Sequence, residues 1–397
     1  MKQRPELALA VDNVQPLRMR TRLSFLVLWL AVVSARRLRG ADADGFTPLF
    51  NGRDLTGWVN VNCAPETFTV RDGMIHCDGI PTGALRTERQ YENFILELEW
   101  RHLVPGGNAG VFVWAGPLPA VGQPFLRAIE VQVLDHGYGK SDWFTTHGDV
   151  FPIHGSTMKP FSPSRGDRSF PNESRSLGAP EWNYYRIVAT NGVLRLSVNG
   201  QEVSGGSDCR WRRGYLALES EGGQVDWRHL RIQEFPSTGA TGADSAPDAQ
   251  PWRSLYDGRS LRGWVLPVAS PGVWTNADWT LHSAATTARD AILWSNELGD
   301  ESEAFFDWRW EKAPAQRMPP LAVRIPGRPE PITLAALPGV RLDGWNRLHL
   351  RRRNGGLELE LNGQPAGRQD LPPGPWTLGL RPDAVPIQFA SVFVQGR

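Results

Sequence analysis

Along much of the chain, apolar and polar residues alternate in short runs of period 2, the pattern of β-strands that bury one face. In the first half such runs span Tyr91 to Arg101, Gly110 to Trp114, Ala128 to Leu134, Tyr184 to Thr190, Val193 to Val198, Tyr215 to Glu221 and Val225 to Phe235. Asn191-Gly192, flanked by two of them, is a strong hairpin signal, and Asn199-Gly200 marks the next turn. No stretch reads as a helix of any length. Many short antiparallel strands at this spacing predict an all-β sandwich or jelly roll.

The alternation also assigns faces. In Ala128 to Leu134, Ile129, Val131 and Val133 share one face; Glu130 and Gln132 share the other, with Asp135 just past the end. Ile95, Glu97, Glu99 and Arg101 oppose Phe94, Leu96, Leu98 and Trp100. The loop carrying Asn108 enters a strand whose faces are Val111/Val113 and Phe112/Trp114, and a fourth strand turns Tyr215, Glu219 and Glu221 outward. These four strands are expected to gather carboxylates, amides, an arginine and aromatic rings on one face. Sugar recognition uses that mixture, with rings against C–H patches and bidentate groups on neighbouring hydroxyls. A solvated face laced by cross-strand ion pairs would read the same way.

The segment from Asp135 to Trp182 has little periodicity and is expected to be a long functional loop. It holds Trp143 and Lys159 as candidate binding residues, and His136, His147 and His154, three of the chain's eight histidines. Histidine is suited to moving protons near neutral pH. With Asp135 or Asp149 these histidines could also hold a divalent metal, but no tight H-x-H or H-E-x-x-H spacing supports it. No cofactor is assigned, and a metal is left open.

The chain also repeats itself. Phe50-Asn-Gly-Arg-Asp-Leu-Thr-Gly-Trp58 returns as Tyr256-Asp-Gly-Arg-Ser-Leu-Arg-Gly-Trp264, and Phe68 to His76 matches Trp274 to His282. Near each end, Trp182-Asn183 and Val198-Asn-Gly200 return as Trp345-Asn346 and Leu361-Asn-Gly363, about forty residues closer to the start of their copy. The shortfall corresponds to the Glu130 strand and the loop after it. Features kept in both copies, such as His76 and His282, read as structural. Glu130, Gln132, Asn108, His147 and His154 have no counterpart and are favoured as functional. In the second copy Trp294, Trp308 and Trp310 are candidates for sugar platforms or for core. Residues 237–250 are small and polar, as in a flexible linker. The expected domains are therefore 44–236 and 251–397, the second a degenerate, non-catalytic repeat.

Composition narrows this further. Lys plus Arg is 43 against 42 for Asp plus Glu, so no net field favours nucleic acid. Seventeen Trp, with 41 Gly and 32 Pro, suit a turn-rich β protein. Of the three cysteines, Cys63 and Cys77 could pair in an oxidising compartment, leaving Cys209 free. Arg18, Arg20 and Arg22 precede an apolar run, Leu23 to Val33, and Ala41-Asp-Ala43 follows. That order reads residues 1–43 as an export signal, with Met19 a plausible initiator. The run falls short of the ~20 residues that span a bilayer. An uncleaved anchor is the alternative, and a periplasmic or extracellular location is expected, with no membrane contact beyond this segment.

Leu49-Phe-Asn-Gly-Arg-Asp-Leu-Thr-Gly-Trp58, Tyr91-Glu-Asn-Phe94 with Glu99-Trp-Arg101, Gly107-Asn-Ala-Gly-Val111 and Glu130-Val-Gln-Val-Leu-Asp135 resemble the 3-keto-disaccharide hydrolase domain. Thr145-Thr-His-Gly-Asp-Val-Phe-Pro152 and Leu218-Glu-Ser-Glu-Gly222 resemble an exported, planctomycete-type branch of it. Many relatives have Gln-x-His-Gly where this chain has Glu219-Ser-Glu-Gly222. The resemblance covers roughly residues 46–236 and implies a concanavalin/LamG-like β-sandwich. It also implies a carbohydrate partner and cleavage of 3-keto sugars. A ketone at C3 acidifies the C2 proton; a base removes it, the C1 substituent leaves, and water adds back. Under that route Glu130 or His154 is the expected base. Arg101 or a metal steadies the oxyanion, and Asp135 or His147 is the acid. Two other readings stand beside it. One is a direct glycosidase pairing Glu130 with Glu99 or Glu219. The other is a non-catalytic carbohydrate-binding or adhesion module.

Overall fold

In a computed structural model, which describes residues 44–396 apart from 269, 315–317 and 329, the chain forms four antiparallel sheets. The export segment read in residues 1–43 lies outside the described residues.

The first two sheets face each other across one core. Phe94–His102 sits in the middle of a nine-stranded back sheet, between Asn183–Thr190 and Val225–Glu234. The eight-stranded front sheet runs Ser164–Arg165, Arg168–Ser169, Val150–Ile153, Ala128–Leu134, Asn108–Ala115, Tyr215–Ser220, Gly83–Thr87, Trp58–Val61. Leu96, Leu98 and Trp100 from the back meet Val111, Val131 and Val133 from the front, all essentially buried. Two sheets with apolar inner faces bury those faces only by stacking, so the alternation itself selects the sandwich.

The segment from Asp135 to Trp182 is less irregular than its sequence suggests. Val150–Ile153, Ser164–Arg165 and Arg168–Ser169 extend the front sheet, and Thr157–Pro160 extends the back one. These pieces are too short to show a period. Gln201–Arg210 was also hidden, because Gly205 and Gly206 and a register shift near Leu196 interrupt its pattern. The only helical segments among the described residues are three-residue 3₁₀ turns, and none is long and apolar enough to cross a membrane.

Residues 253–395 form an eight-stranded and a five-stranded sheet. Equivalent residues do equivalent work in the two modules. The Trp58 indole donates to Leu49 O and the Trp264 indole to Leu255 O. Asn183 bonds both backbone groups of Leu177, and Asn346 those of Arg341. The Glu130 strand persists in the second module only as Ile332–Thr333, the last strand of the five. Ala322 pairs with Thr333 there, as Phe112 pairs with Glu130 in the first module. Trp294, Trp308 and Trp310 are buried, so they are packing residues and not platforms. Cys63, Cys77 and Cys209 are buried free thiols.

Residues 237–250, read as a flexible linker, are tied to the first module. Thr238 N donates to Glu92, the Gln90 amide to Ala246 O and Asp248, Ala249 N to the Tyr215 hydroxyl, and Arg210 pairs with Asp244 at 2.5 Å. Small polar residues leave the backbone free to bond, and here it does so on a neighbouring surface.

The modules also grip each other directly. Asp307 is buried, receives Arg347 Nε at 2.6 Å and Nη2 at 2.8 Å, and accepts from Gly122 N of the first module at 2.8 Å. Arg347 also donates to Pro119 O at 3.0 Å. A Cβ on Gly122, whose φ is +65°, would lie 2.1 Å from the Trp345 ring, so only glycine fits this contact. Asp307→Ala leaves the mostly buried Arg347 guanidinium without its charged partner. Denaturant unfolding should show the second module losing about 3 kcal/mol; an unchanged midpoint would show that the contact contributes little.

Candidate functional site

The site is built on three neighbouring strands of the front sheet. Register sets Glu130 opposite Phe112 and Gln132 opposite Gly110, while Ala217 on the next strand pairs with Phe112. Alternate residues share a face. Asn108, Gly110 and Phe112 therefore lie on the outer face, with Glu130 and Gln132 on one side and Glu219 on the other. Gly110 makes the arrangement possible. A Cβ there would meet Glu219 Oε2 at 2.8 Å and Glu130 Oε1 at 3.1 Å. The two carboxylates are thus within about 6 Å of each other, close enough for each to oppose the other's ionisation.

A chain of side-chain hydrogen bonds runs past them. Arg168 Nη1 donates to Asp149 Oδ2 at 3.1 Å and to Gln132 Oε1 at 3.3 Å. The Gln132 amide donates to Asn108 Oδ1 at 2.9 Å, and the Asn108 amide to Glu221. Arg168 lies over the Phe151 ring. His154 ends the Val150–Ile153 strand with φ +51° and stacks on Phe125. Tyr138 and Phe144 meet edge to face, and Trp279 of the second module closes another side. The resulting cleft, about 480 Å³, has the size and the mixture of aromatic and polar lining usual for a small-molecule site.

Its electrostatics are set by burial. Burial and the Glu221 charge push the Glu130 carboxyl up to about 8, with Arg168 pulling the other way. Burial and the charges of Glu130 and Glu221 push Glu219 well above the carboxylate range, and its Oε2 has no protein partner. Burial raises Glu221 to about 7, opposed by the bond from Asn108. These protons belong to the cluster as a whole. Burial lowers His154, which favours its neutral form at pH 7. Near neutrality the cleft thus holds both carboxylic acids and a carboxylate, the equipment of general acid–base chemistry.

Of the residues expected from sequence, the fold gathers Glu130, Gln132, Asn108, Glu219, Glu221 and His154 around one cleft. It does not bring the others. Arg101 and Glu99 belong to the back sheet, whose polar side faces away from the front one. Arg101 pairs with Asp226 at 3.0 Å, and Glu99 with Arg228 at 2.6 Å. Trp114 has φ +53°, which breaks the alternation and turns its ring into the core, where the indole donates to Glu92 O. Asp135 accepts from the backbone N–H groups of Gly106, Gly137 and Ala179. Burial works against its charge, but those bonds hold it below the usual carboxylate range. His147 lies between Ser174 and Ser176 beside His136, away from the cleft. Trp143 is exposed beneath Arg165, and Lys159 pairs with Asp208 at the surface. The histidines and aspartates proposed as metal ligands do not converge. Among the described residues no group of three or more His, Cys, Asp or Glu is arranged to hold a metal ion.

Sequence reading missed Arg168, Phe125, Thr82 and Trp279. Arg168 lay in the loop already singled out. Trp279 replaces Gly73 of the repeated hairpin, a substitution visible in the sequence.

Residues 45–233 match the 3-keto-alpha-glucoside-1,2-lyase-like domain family. A 3-keto-disaccharide hydrolase of Bacteroides thetaiotaomicron is 26% identical over 248 aligned residues, covering 48% of this chain and 79% of its own. Among solved structures, a candidate glycosyl hydrolase from Parabacteroides distasonis has 21% identity and a TM-score of 0.36, over 49% of this chain and 95% of that one. The carbohydrate binding module CBM66 from Bacillus subtilis has 10% identity and a TM-score of 0.33, over 45% and 96%.

The raised carboxyls fix a sign for stability. Glu130 binds its proton more tightly folded than unfolded, so its contribution is full below its unfolded value, near 4.5, and is lost as pH rises through about 8. Glu130→Gln should therefore raise the Tm relative to the parent at pH 8, with the gain shrinking toward pH 5. Thermal melts across that range check this, and a gain that grows on acidification would contradict it.

Proposed function

We propose that this protein is exported and cleaves 3-keto-glycosides by elimination followed by hydration, a reading supported by the match of residues 45–233 to the 3-keto-alpha-glucoside-1,2-lyase-like domain family and by the 3-keto-disaccharide hydrolase relative. One observation carries the reading: Glu130 and Glu219 meet across Gly110 on a single sheet face, both pushed above the usual carboxylate range, and the Glu130 charge opposes the ionisation of Glu219.

The route begins with ionised Glu130 taking the C2 proton of the keto ring. The C–H electron pair forms a C2–C3 double bond, and the C3 carbonyl becomes an oxyanion. Arg168, the cation facing the same cleft, steadies that oxyanion in the role first assigned to Arg101. The oxyanion then re-forms the carbonyl, the double bond moves to C1–C2, and the C1–O bond breaks. Protonated Glu219 supplies the proton that the departing oxygen needs. Water adds across C1–C2, hydroxyl to C1 and hydrogen to C2, and the net result is hydrolysis. Neutral His154 is the alternative base.

A direct glycosidase is the second reading, favoured by the same close pair. It requires two carboxylates flanking the scissile bond. Glu130 and Glu219 rise on one sheet face from the two strands that flank the Gly110 strand. A stepwise elimination through an enolate does not require acid and base on opposite sides of the ring, so the single-face arrangement fits it better. Export rests on the arginine-flanked apolar run and the Ala41-Asp-Ala43 site.

Turnover of 3-keto-trehalose by the parent and by Glu130→Gln tests the reading. The expected loss in kcat is at least about a hundredfold. Retained activity in the variant would remove Glu130 from the chemistry, and faster cleavage of unoxidised trehalose by the parent would favour the glycosidase.

A further inference from the structure

Five two-residue hairpin turns follow one rule. Asp72-Gly73, Asn191-Gly192, Asn199-Gly200, Asn354-Gly355 and Asn362-Gly363 all place positive φ at both tip residues, as type I′ turns do. The second module breaks the rule once. Its Trp274–Ala277 and Thr280–Ser283 strands are joined by Asp278-Trp279, the counterpart of Asp72-Gly73. Asp278 keeps φ +53°, while Trp279 stands where glycine is the favoured residue and does not adopt the left-handed backbone.

The tip is held by its own contacts. Tyr256, which replaces Phe50 of the first copy, brings a hydroxyl that bonds Asp278 O and Thr280 O, both at 2.9 Å. The Asp278 carboxylate accepts from Thr82 N at 2.7 Å and Thr82 Oγ1 at 2.6 Å. Thr82 leads into Gly83–Thr87, the strand paired with the Glu219 strand. Gly258 packs against Pro81 so closely that a Cβ there would lie 2.4 Å from it. Trp279 is half-buried, leans on Trp345 at a centroid distance of 5.9 Å, and lines the cleft that holds Glu130 and Glu219.

Position in the strand order says what the ring can touch. Arg168 lies on the far side of Glu130, Glu219 one strand beyond Gly110, and Thr82 with the hairpin tip one strand further. At roughly 4.8 Å per strand, Glu130 and the Thr82 strand are about 14 Å apart, room for two sugar rings. The charge on Asp278 also acts on Glu221, which places the tip at that end. A ring whose C2 meets Glu130 beside Arg168 therefore directs its C1 substituent toward Glu219 and Trp279.

We infer that Trp279 of the second module forms the subsite for the leaving sugar, stacking on the ring attached at C1. This rests on the 3-keto-glycoside reading for the substrate's orientation. A repeat without the carboxylates would thereby contribute to binding at the first module's site.

The test uses the full-length protein with Trp279→Ala and Trp279→Phe. The substrates are 3-keto-trehalose and methyl 3-keto-glucoside, and binding of trehalose and glucose is followed by calorimetry. For Trp279→Ala, kcat/KM should fall about tenfold more for the disaccharide than for the methyl glycoside, mainly through KM, and Trp279→Phe should recover most of it. Equal losses on both substrates, or none, would overturn the subsite. If the parent turns over neither keto sugar, the catalytic reading fails and calorimetry decides alone. A Trp279-dependent preference for trehalose over glucose then supports the subsite, and its absence refutes it.

Discussion

Glu130 and Glu219 reach the same small space from strands on either side of Gly110. Both are buried, and Glu219 Oε2 has no protein partner. Two carboxylates so placed cannot both ionise cheaply, because each lacks water and faces the other's charge. The fold therefore stores protons on this face near neutrality. The remaining features follow from keeping that arrangement intact. Gly110 leaves the space. Gln132 and Asn108 carry hydrogen bonds from Arg168 to Glu221 without filling it. The back sheet and its apolar core hold the three strands in register from behind.

The same constraint gives the second module a purpose that its sequence conceals. In the corresponding ladder Thr333 stands where the first module has Glu130, and the strand carrying it is two residues long. The module lacks a carboxylate at this position, yet it holds a firm grip on its neighbour through Asp307, Arg347 and Trp345. That grip supports the loop ending in Phe125, which stacks on His154, and it brings the Asp278-Trp279 tip to the cleft. Asp278-Trp279 stands at the hairpin position matching Asp72-Gly73, and Trp279 lines the first module's cleft.

Much of this was legible in the sequence, for identifiable reasons. Period-2 alternation gave the strands with long, regular faces, and Ala128–Leu134 and Val193–Val198 were read to the residue. The internal comparison separated Glu130, Gln132 and Asn108 from structural residues, because a repeat shows what the fold can do without. What failed was the assignment of strands to sheets. The strands carrying Glu99 and Glu130 look equally suitable one at a time, and only long-range pairing puts them in opposite layers. Alternation also misled at Trp114, where a single left-handed residue reverses the face. Asp135 was misread because its role is to bind three backbone N–H groups, which no local pattern announces. Trp279 was visible as a glycine lost from a hairpin, but its target lies in another module.

Side-chain carboxyl resonances of ¹³C-labelled glutamate report the protonation of the buried cluster directly. Titrated by NMR, with Glu130→Gln and Glu221→Gln used for assignment, the signals should move with midpoints near 8 for Glu130 and 7 for Glu221. The Glu130 midpoint should fall when the Glu221 carboxylate is removed. Midpoints near the ordinary glutamate value of about 4.3 for both, unaffected by the partner, would show that the carboxylates are solvated and independent, and would contradict the account.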